Sequence, residues 1–315
     1  MRSLRFLEIY IILSCVTASP VLAQQTWAEK LGWDSDDRIV MFHVDDIGMS
    51  HASNMGGIEA VENGIATTWS VMMPCSWVPE IAIYLEKHPT IDSGLHLTLN
   101  AEYKLYKWGP VAGKPAVPGL VDPQGYLWDS HPPLIDHATA DEVEREIRAQ
   151  IERAEALGMP ITHLDSHMGT LFRTPEFMER YVRVGIEKNI PMLVPPSPDN
   201  QRIMQRIWDA GLPVIDHIQG GVTPLDNAVK SREIIKRLRA LKPGITEFIF
   251  HASRPDENFP LMMQVDTGVL KADSPARLGD LEMALDPAVR KAIEDAGIKL
   301  TTWRELKERR QRAGQ

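Results

Sequence analysis

The sequence predicts an α/β fold in one domain, a (β/α) barrel of about eight parallel strands. Three observations carry that expectation. Short apolar or β-branched runs alternate with amphipathic stretches along the chain, the pattern of βαβ units around a parallel sheet. The 315 residues suffice for one large barrel, and no internal repeat, low-complexity segment or linker divides them. Histidines and carboxylates fall at the C-terminal ends of several apolar runs, the edge where parallel α/β folds build their sites. A doubly wound open sheet is the competing architecture. Its first loop is usually glycine-rich for phosphate, whereas this one reads Asp45-Asp46-Ile47-Gly48.

Residues 1–23 combine Arg2 and Arg5, an apolar run over 9–16, and Val21-Leu22-Ala23 before Gln24. A positive start, a short apolar region and a small-residue cleavage site predict a secretory signal peptide, and so an exported protein, periplasmic or secreted. A lipid anchor at Cys15 is the weaker alternative. Residues 24–315 then form the domain. Residues 38–44 read as a strand and 50–63 as a helix stopped by Gly64; 68–73 is a strand, 78–87 a helix and 92–98 a strand. An aperiodic insertion at about 102–133, rich in Pro, Gly and Trp, follows. Residues 139–157 have helical spacing and end at Gly158 with Pro160 beyond. Strands at 161–165, 191–194, 214–217, 246–251 and 299–302 alternate with helices at 174–188, 201–210, 227–241, 287–296 and 303–310.

Composition excludes some functions. The formal net charge is -9 and no basic run precedes residues 307–312, so the cationic footprint of a nucleic-acid site is missing. No segment after the leader reaches the apolar length of a membrane span. With the leader removed, Cys75 is the one cysteine left, read as a small buried hydrophobe rather than a nucleophile. Nothing in the sequence fixes the oligomeric state, with a homodimer as one option.

The chemistry concentrates at strand ends. Asp45 and Asp46 end the first strand, His96 the third, His163-Leu164-Asp165-Ser166-His167 the next, and His251 the strand over 246–251. Adjacent strand residues face opposite ways, so both aspartates can serve one site only if the strand breaks, and Gly48 marks such a break. Asp46, His96 and His167 make an Asp-His-His set with positions left for water and substrate, while the second carboxylate stays free as a base. Asp165 and His163 read as groups that orient the ligands. His163 and Asp165 also resemble half of a 2-His-1-carboxylate iron oxygenase site, a second enzyme class that the helical periodicity disfavours. A carbohydrate-binding barrel without chemistry is the third possibility.

Three blocks together carry a family resemblance: Val44-Asp45-Asp46-Ile47-Gly48-Met49-Ser50, Gly94-Leu95-His96-Leu97-Thr98-Leu99 and Thr162-His163-Leu164-Asp165-Ser166-His167. The chain resembles the YdjC/ChbG-like carbohydrate deacetylases over nearly all of its mature length. The resemblance implies an irregular (β/α) barrel of seven to eight parallel strands. It implies one divalent metal ion, Mg or Zn, on Asp46, His96 and His167, with Asp45 as catalytic base and His251 protonating the leaving amine. The implied reaction is metal-assisted removal of acetyl groups from N-acetylated amino sugars. Three departures stand out. His43-Val44 replaces the usual Asn-Ala pair; His167-Met168-Gly169 lacks a further histidine; and His251-Ala252-Ser253 lacks the usual proline. The resemblance therefore carries the metal set and not a chito-oligosaccharide substrate. Trp108 and Trp128 in the insertion either stack on sugar rings or pack their own loop.

Overall fold

The computed structural model describes residues 25–220, 227–265, 268–269 and 273–314; the leader expected at 1–23, with Cys15, lies outside the described residues. The elements run α1 (Trp27–Lys30), β1 (Arg38–Ile47), α2 (His51–Glu62), β2 (Thr68–Val71), α3 (Val78–Lys87) and β3 (Ser93–Leu97). After the insertion come α4 (His131–His137), α5 (Ala140–Ala156), β4 (Leu164–Ser166), α6 (Pro175–Glu187), α7 (Gln201–Asp209), β5 (His217–Gln219), α8 (Asn227–Arg239) and β6 (Gly244–Phe250). The chain closes with α9 (Phe259–Met262), a small hairpin of β7 (Gln264–Val265) and β8 (Gly268–Val269), α10 (Asp273–Leu285), α11 (Pro287–Asp295), β9 (Lys299–Leu300) and α12 (Trp303–Ala313).

Seven strands form one sheet in the order β4-β3-β2-β1-β6-β5, with β9 joining β1, and every pairing is parallel. The sheet curls into a partial barrel flanked by helices, as the α/β periodicity implies. β1 is apolar on both faces because both are covered. Val40, Phe42 and Val44 join the large core under the surrounding helices, whereas Ile39 and Met41 belong to an inner core with Ile245, Trp303 and Leu306. Trp303, fully buried at the start of α12, closes the bottom of the barrel. The Asp92 carboxylate fixes it there, accepting from the amides of Trp303 at 3.1 Å and Arg304 at 3.0 Å. Alternation then puts His43 and Asp45 above Met41 on the inward face, so the interior changes from apolar to ionisable as it nears the mouth.

Three expected strands differ most, and the one at 161–165 starts three residues later, at Leu164. The one at 191–194 is a single parallel bridge, Leu164 to Met192. The one at 214–217 starts three residues later, at His217, because Asp216 takes over ladder positions with its side chain. That carboxylate accepts from the Ile245 amide at 2.9 Å and from Trp27 and Ala28 at 2.7 and 3.1 Å, tying α1 to the barrel. Helices α1, α4, α9 and α10 and the β7–β8 hairpin lie outside the elements that the sequence predicts. Pro132 and Pro133 sit in the first turn of α4, where proline loses no hydrogen bond. No described helix is long and apolar enough to cross a membrane, and Cys75 is buried with a free thiol.

Helix α5 holds the insertion in place. Thr139 and Glu142 form a capping box at its start, and Glu142 also accepts from Gly119 at 2.7 Å. One turn on, Glu146 accepts from Val111 at 2.8 Å and Ala112 at 2.9 Å. Gln150 bonds both backbone groups of Thr98, the residue two beyond His96. The tryptophans of the insertion turn inward. Trp108 is buried and donates to Asn100, while Trp128 donates to Gly119 and stacks on His137, so both pack their own loop.

Burial pushes the Glu146 carboxyl up to about 7 against the backbone donors that favour its charge. The native state therefore keeps a proton that the unfolded chain has lost between about pH 4.5 and 7, and stability from this group falls as pH rises through that window. Glu146→Gln is expected to flatten the fall, which is worth at most about 3 kcal/mol. Denaturant midpoints at pH 5 and pH 8 measure it; an unchanged difference between the two would assign the pH dependence elsewhere.

Candidate metal centre

The strand break expected at Gly48 begins two residues earlier. The β1–β2 register shifts between Val44 and Ile47, Asp46 takes a φ of 63° and Gly48 one of 85°. The left-handed turn at Asp46 brings both carboxylates to the mouth instead of leaving them on opposite faces. The Asn54 side chain fixes the bend by accepting from the Gly48 amide at 2.7 Å.

Four chain segments deliver the side chains expected from the sequence. Asp46 Oδ1 lies 3.3 Å from His96 Nε2 and 3.2 Å from His167 Nδ1. All three residues are buried, and their donor atoms fall within 4.8 Å of one another. Asp46 Oδ1 has no hydrogen bond of acceptable geometry despite those neighbours. A buried oxygen without a hydrogen bond, facing two ring nitrogens, fits a divalent cation: donors on a tetrahedral ion with bonds of about 2.0–2.1 Å stand roughly 3.3 Å apart.

The outer partners set the tautomers. His96 Nδ1 meets Asp165 Oδ1 at 2.7 Å, and His167 Nε2 meets Glu102 Oε2 at 3.0 Å. Each ring therefore donates outward and turns its other nitrogen toward Asp46, the carboxylate–imidazole arrangement that orients metal ligands. Burial works against charge on His167, yet Glu102 and Asp46 lift its pKa to about 9. Burial likewise opposes the Asp46 charge, but the Arg277 guanidinium and the two imidazoles hold its carboxyl well below the usual range. Arg277 approaches Asp46 Oδ2 at 2.7 Å and Tyr103 at 3.2 Å.

Asp45 is placed differently. Its Oδ1 faces down, 3.3 Å from His43 Nε2, while Oδ2 stands 3.8 Å from His96 Nε2 and 3.7 Å from His251 Nε2. The His251 side chain is 38% exposed, and its amide donates to Asp280 Oδ2 at 3.0 Å. Asp280 is held in turn by Lys230 at 2.6 Å. A cavity of about 600 Å3 opens over these groups, with Asp45, Asp46, His96, His167, His251 and Arg277 on one side. Phe172, Leu193, Ile218 and Ile249 line the other.

Of the two orienting residues expected from the sequence, Asp165 touches His96, but His163 lies a layer deeper. It is fully buried against Trp303, with Nδ1 3.0 Å from Thr162 Oγ1. His43, His163 and Asp165 also bring donor atoms within 4.8 Å of one another, but His163 does not line the cavity. Ser70, Glu102, Arg277 and Asp280 escaped the sequence reading. Ser70 left a signal, as a polar residue inward on the apolar strand Thr68-Trp69-Ser70-Val71; Arg277 and Asp280 sit on helix α10, which left no recognised pattern. Helix α2 reaches the His251 loop through Gly56, where an added Cβ would stand 2.4 Å from Ser253 Cα.

The family described as YdjC-like protein matches residues 39–295. The chain is 27% identical to a carbohydrate deacetylase of Thermoanaerobacter pseudethanolicus, over 86% of this chain and 100% of that one. It is 29% identical to a carbohydrate deacetylase of Thermus thermophilus, over 89% and 97%. It is 27% identical to a chitooligosaccharide deacetylase of Yersinia enterocolitica, over 85% and 98%. In fold it is similar to a crystal structure from Enterococcus faecalis of a proposed cellobiose-phosphate cleavage protein, with a TM-score of 0.73, 22% identity, and coverage of 86% of this chain and 99% of that one.

Asp165→Asn replaces the acceptor under His96 Nδ1 with a group that can present a donor there. Divalent-ion affinity, read by chelator competition, is expected to fall about 10–100-fold. Unchanged affinity would take His96 out of the ligand set.

Proposed function

The chain belongs to the YdjC-like family, and from that premise we propose that it is a divalent-metal-dependent deacetylase that removes acetyl groups from N-acetylated amino sugars or their oligosaccharides. The observation that carries this reading is the division of labour between adjacent aspartates. Asp46 turns an orphaned oxygen to two oriented imidazoles, while Asp45 keeps one oxygen toward the cavity beside His251. Asp46, His96 and His167 would hold the ion, and two nitrogen donors favour a borderline cation such as zinc over magnesium. Such an ion supplies Lewis-acid polarisation of the acyl carbonyl and acidifies water.

The chain's own groups do the proton work. Asp45 Oδ2 takes a proton from the attacking water, and His251 Nε2 gives one to the departing nitrogen. At 3.7 Å apart the two atoms are beyond hydrogen-bond distance of each other, which leaves each free to reach a different atom of a substrate lying over them. Arg277, beside Asp46, keeps that carboxylate ionised for the ion. The apolar wall of the cavity suits the acetyl methyl and the C–H face of a sugar ring. The leader read at residues 1–23 makes the enzyme an exported one.

Acetate release from a panel of N- and O-acetylated sugars, with zinc, magnesium or no added ion, tests the proposal. Sugar binding without acetate would leave a binding barrel in its place. Asp45→Asn should keep its ion and lose about a hundredfold or more in kcat; retained turnover would assign the base elsewhere. His96→Ala should lose ion and activity together, measured by elemental analysis beside the assay, and a full ion complement would remove it from the ligands.

A further inference from the structure

Beneath the centre lies a group that the proposed chemistry does not use. His43 is completely buried one inward step below Asp45 on β1. Its Nδ1 is 2.7 Å from Glu247 Oε1, an oxygen that also accepts from Trp303 Nε1 at 3.1 Å. Its Nε2 is 3.3 Å from Asp45 Oδ1, 3.2 Å from Asp165 Oδ2 and 3.0 Å from Ser70 Oγ. Ser70 spends its proton on Asp165 Oδ2 at 2.8 Å, so toward His43 it can only accept. Every neighbour of both ring nitrogens is then an acceptor, and the ring needs a proton on each.

We propose that His43, clamped from below by Glu247, is a positioning residue for hydrolysis: its Nε2–H anchors Oδ1 of Asp45 and leaves Oδ2 as the carboxylate oxygen presented to the cavity. The proposal rests on the hydrolytic reading of Asp45. A carboxylate on a short side chain can rotate about its last torsion, which is broad and two-fold. With no donor beneath, Asp45 could turn toward His96 or His251, and either turn moves the basic oxygen off the attacking water. A cation fixed at that depth also counters the charge of Asp45 and Asp165, which face each other across it. It acts from within the barrel and touches neither substrate nor ion.

The test uses His43→Leu, His43→Gln and Glu247→Gln in the full chain, assayed by acetate release with metal content measured in parallel. His43→Leu is expected to lower kcat about tenfold or more, with KM and bound ion within twofold of the parent. His43→Gln, which keeps a neutral donor, should recover part of the loss, and Glu247→Gln should lower kcat in the same sense. Nitrogen-15 NMR of the parent should show both ring nitrogens of His43 protonated at neutral pH. A kcat within twofold of the parent in the folded variants overturns the proposal, as does a rise in KM alone, loss of the ion, or a neutral His43 ring. If the parent releases no acetate from any acylated sugar, the hydrolytic reading falls and this role falls with it. An active parent matched by its His43 variants removes the role alone.

Discussion

One barrel mouth gathers more negative charge than it can hold unaided. Asp45, Asp46 and Asp165 are buried around the imidazoles, Glu247 is buried beneath His43, and the largely covered Glu102 joins them at the rim. An isolated buried carboxylate is costly and a cluster is costlier, because each ion loses water and repels the next. The chain answers with Arg277 against Asp46, His43 between Asp45, Asp165 and Glu247, and the imidazoles of His96 and His167. An ion between Asp46 and the imidazoles would displace a proton from each ring, so its two positive charges would replace theirs and keep the centre close to balance. The rest of the structure can be understood as support for that balance.

The support comes from layers. Trp303 and its apolar neighbours plug the bottom, His43, His163 and Glu247 occupy the middle, and the aspartates reach the mouth. Because His163 is neutral, depressed first by burial and then by the nearby His43 cation, it serves the middle layer as packing. Helices secure the rim from outside. Glu142, Glu146 and Gln150 on α5 hold the insertion that carries Glu102 and the strand end that carries His96. One helix, α10, sends Arg277 to Asp46 and Asp280 to the His251 amide.

Much of this was legible because strand periodicity and parallel topology are local signals. Asp45, Asp46, His96, His167 and His251 could be assigned to one mouth since each ends an apolar run, and such ends converge. Gly48 advertised the break, though the chain already turns left-handed at Asp46, a residue type that does not announce it. Other features depend on packing that no local pattern records. Arg277 is an ordinary polar residue on a late helix until the fold lays it over Asp46. The tryptophans of the insertion could face a sugar or their own loop with the same sequence, and the backbone carbonyls of Asn100 and Gly119 draw them inward. The offset of β5 arises because Asp216 competes with backbone for the same donor, a contest between side chain and ladder that period-two alternation does not foresee.

Gly56 shows how an absent group can act as a ruler. In the middle of α2 a glycine costs roughly 1 kcal/mol relative to alanine, yet here it lets a helix rest directly on the backbone that carries His251. A methyl at that spot would work as a wedge, lifting the imidazole by a fraction of its reach without touching any reacting atom. The span between His251 and Asp45 is thus gauged by a residue with no side chain, and substitution surveys confined to polar groups would pass over the part that sets it.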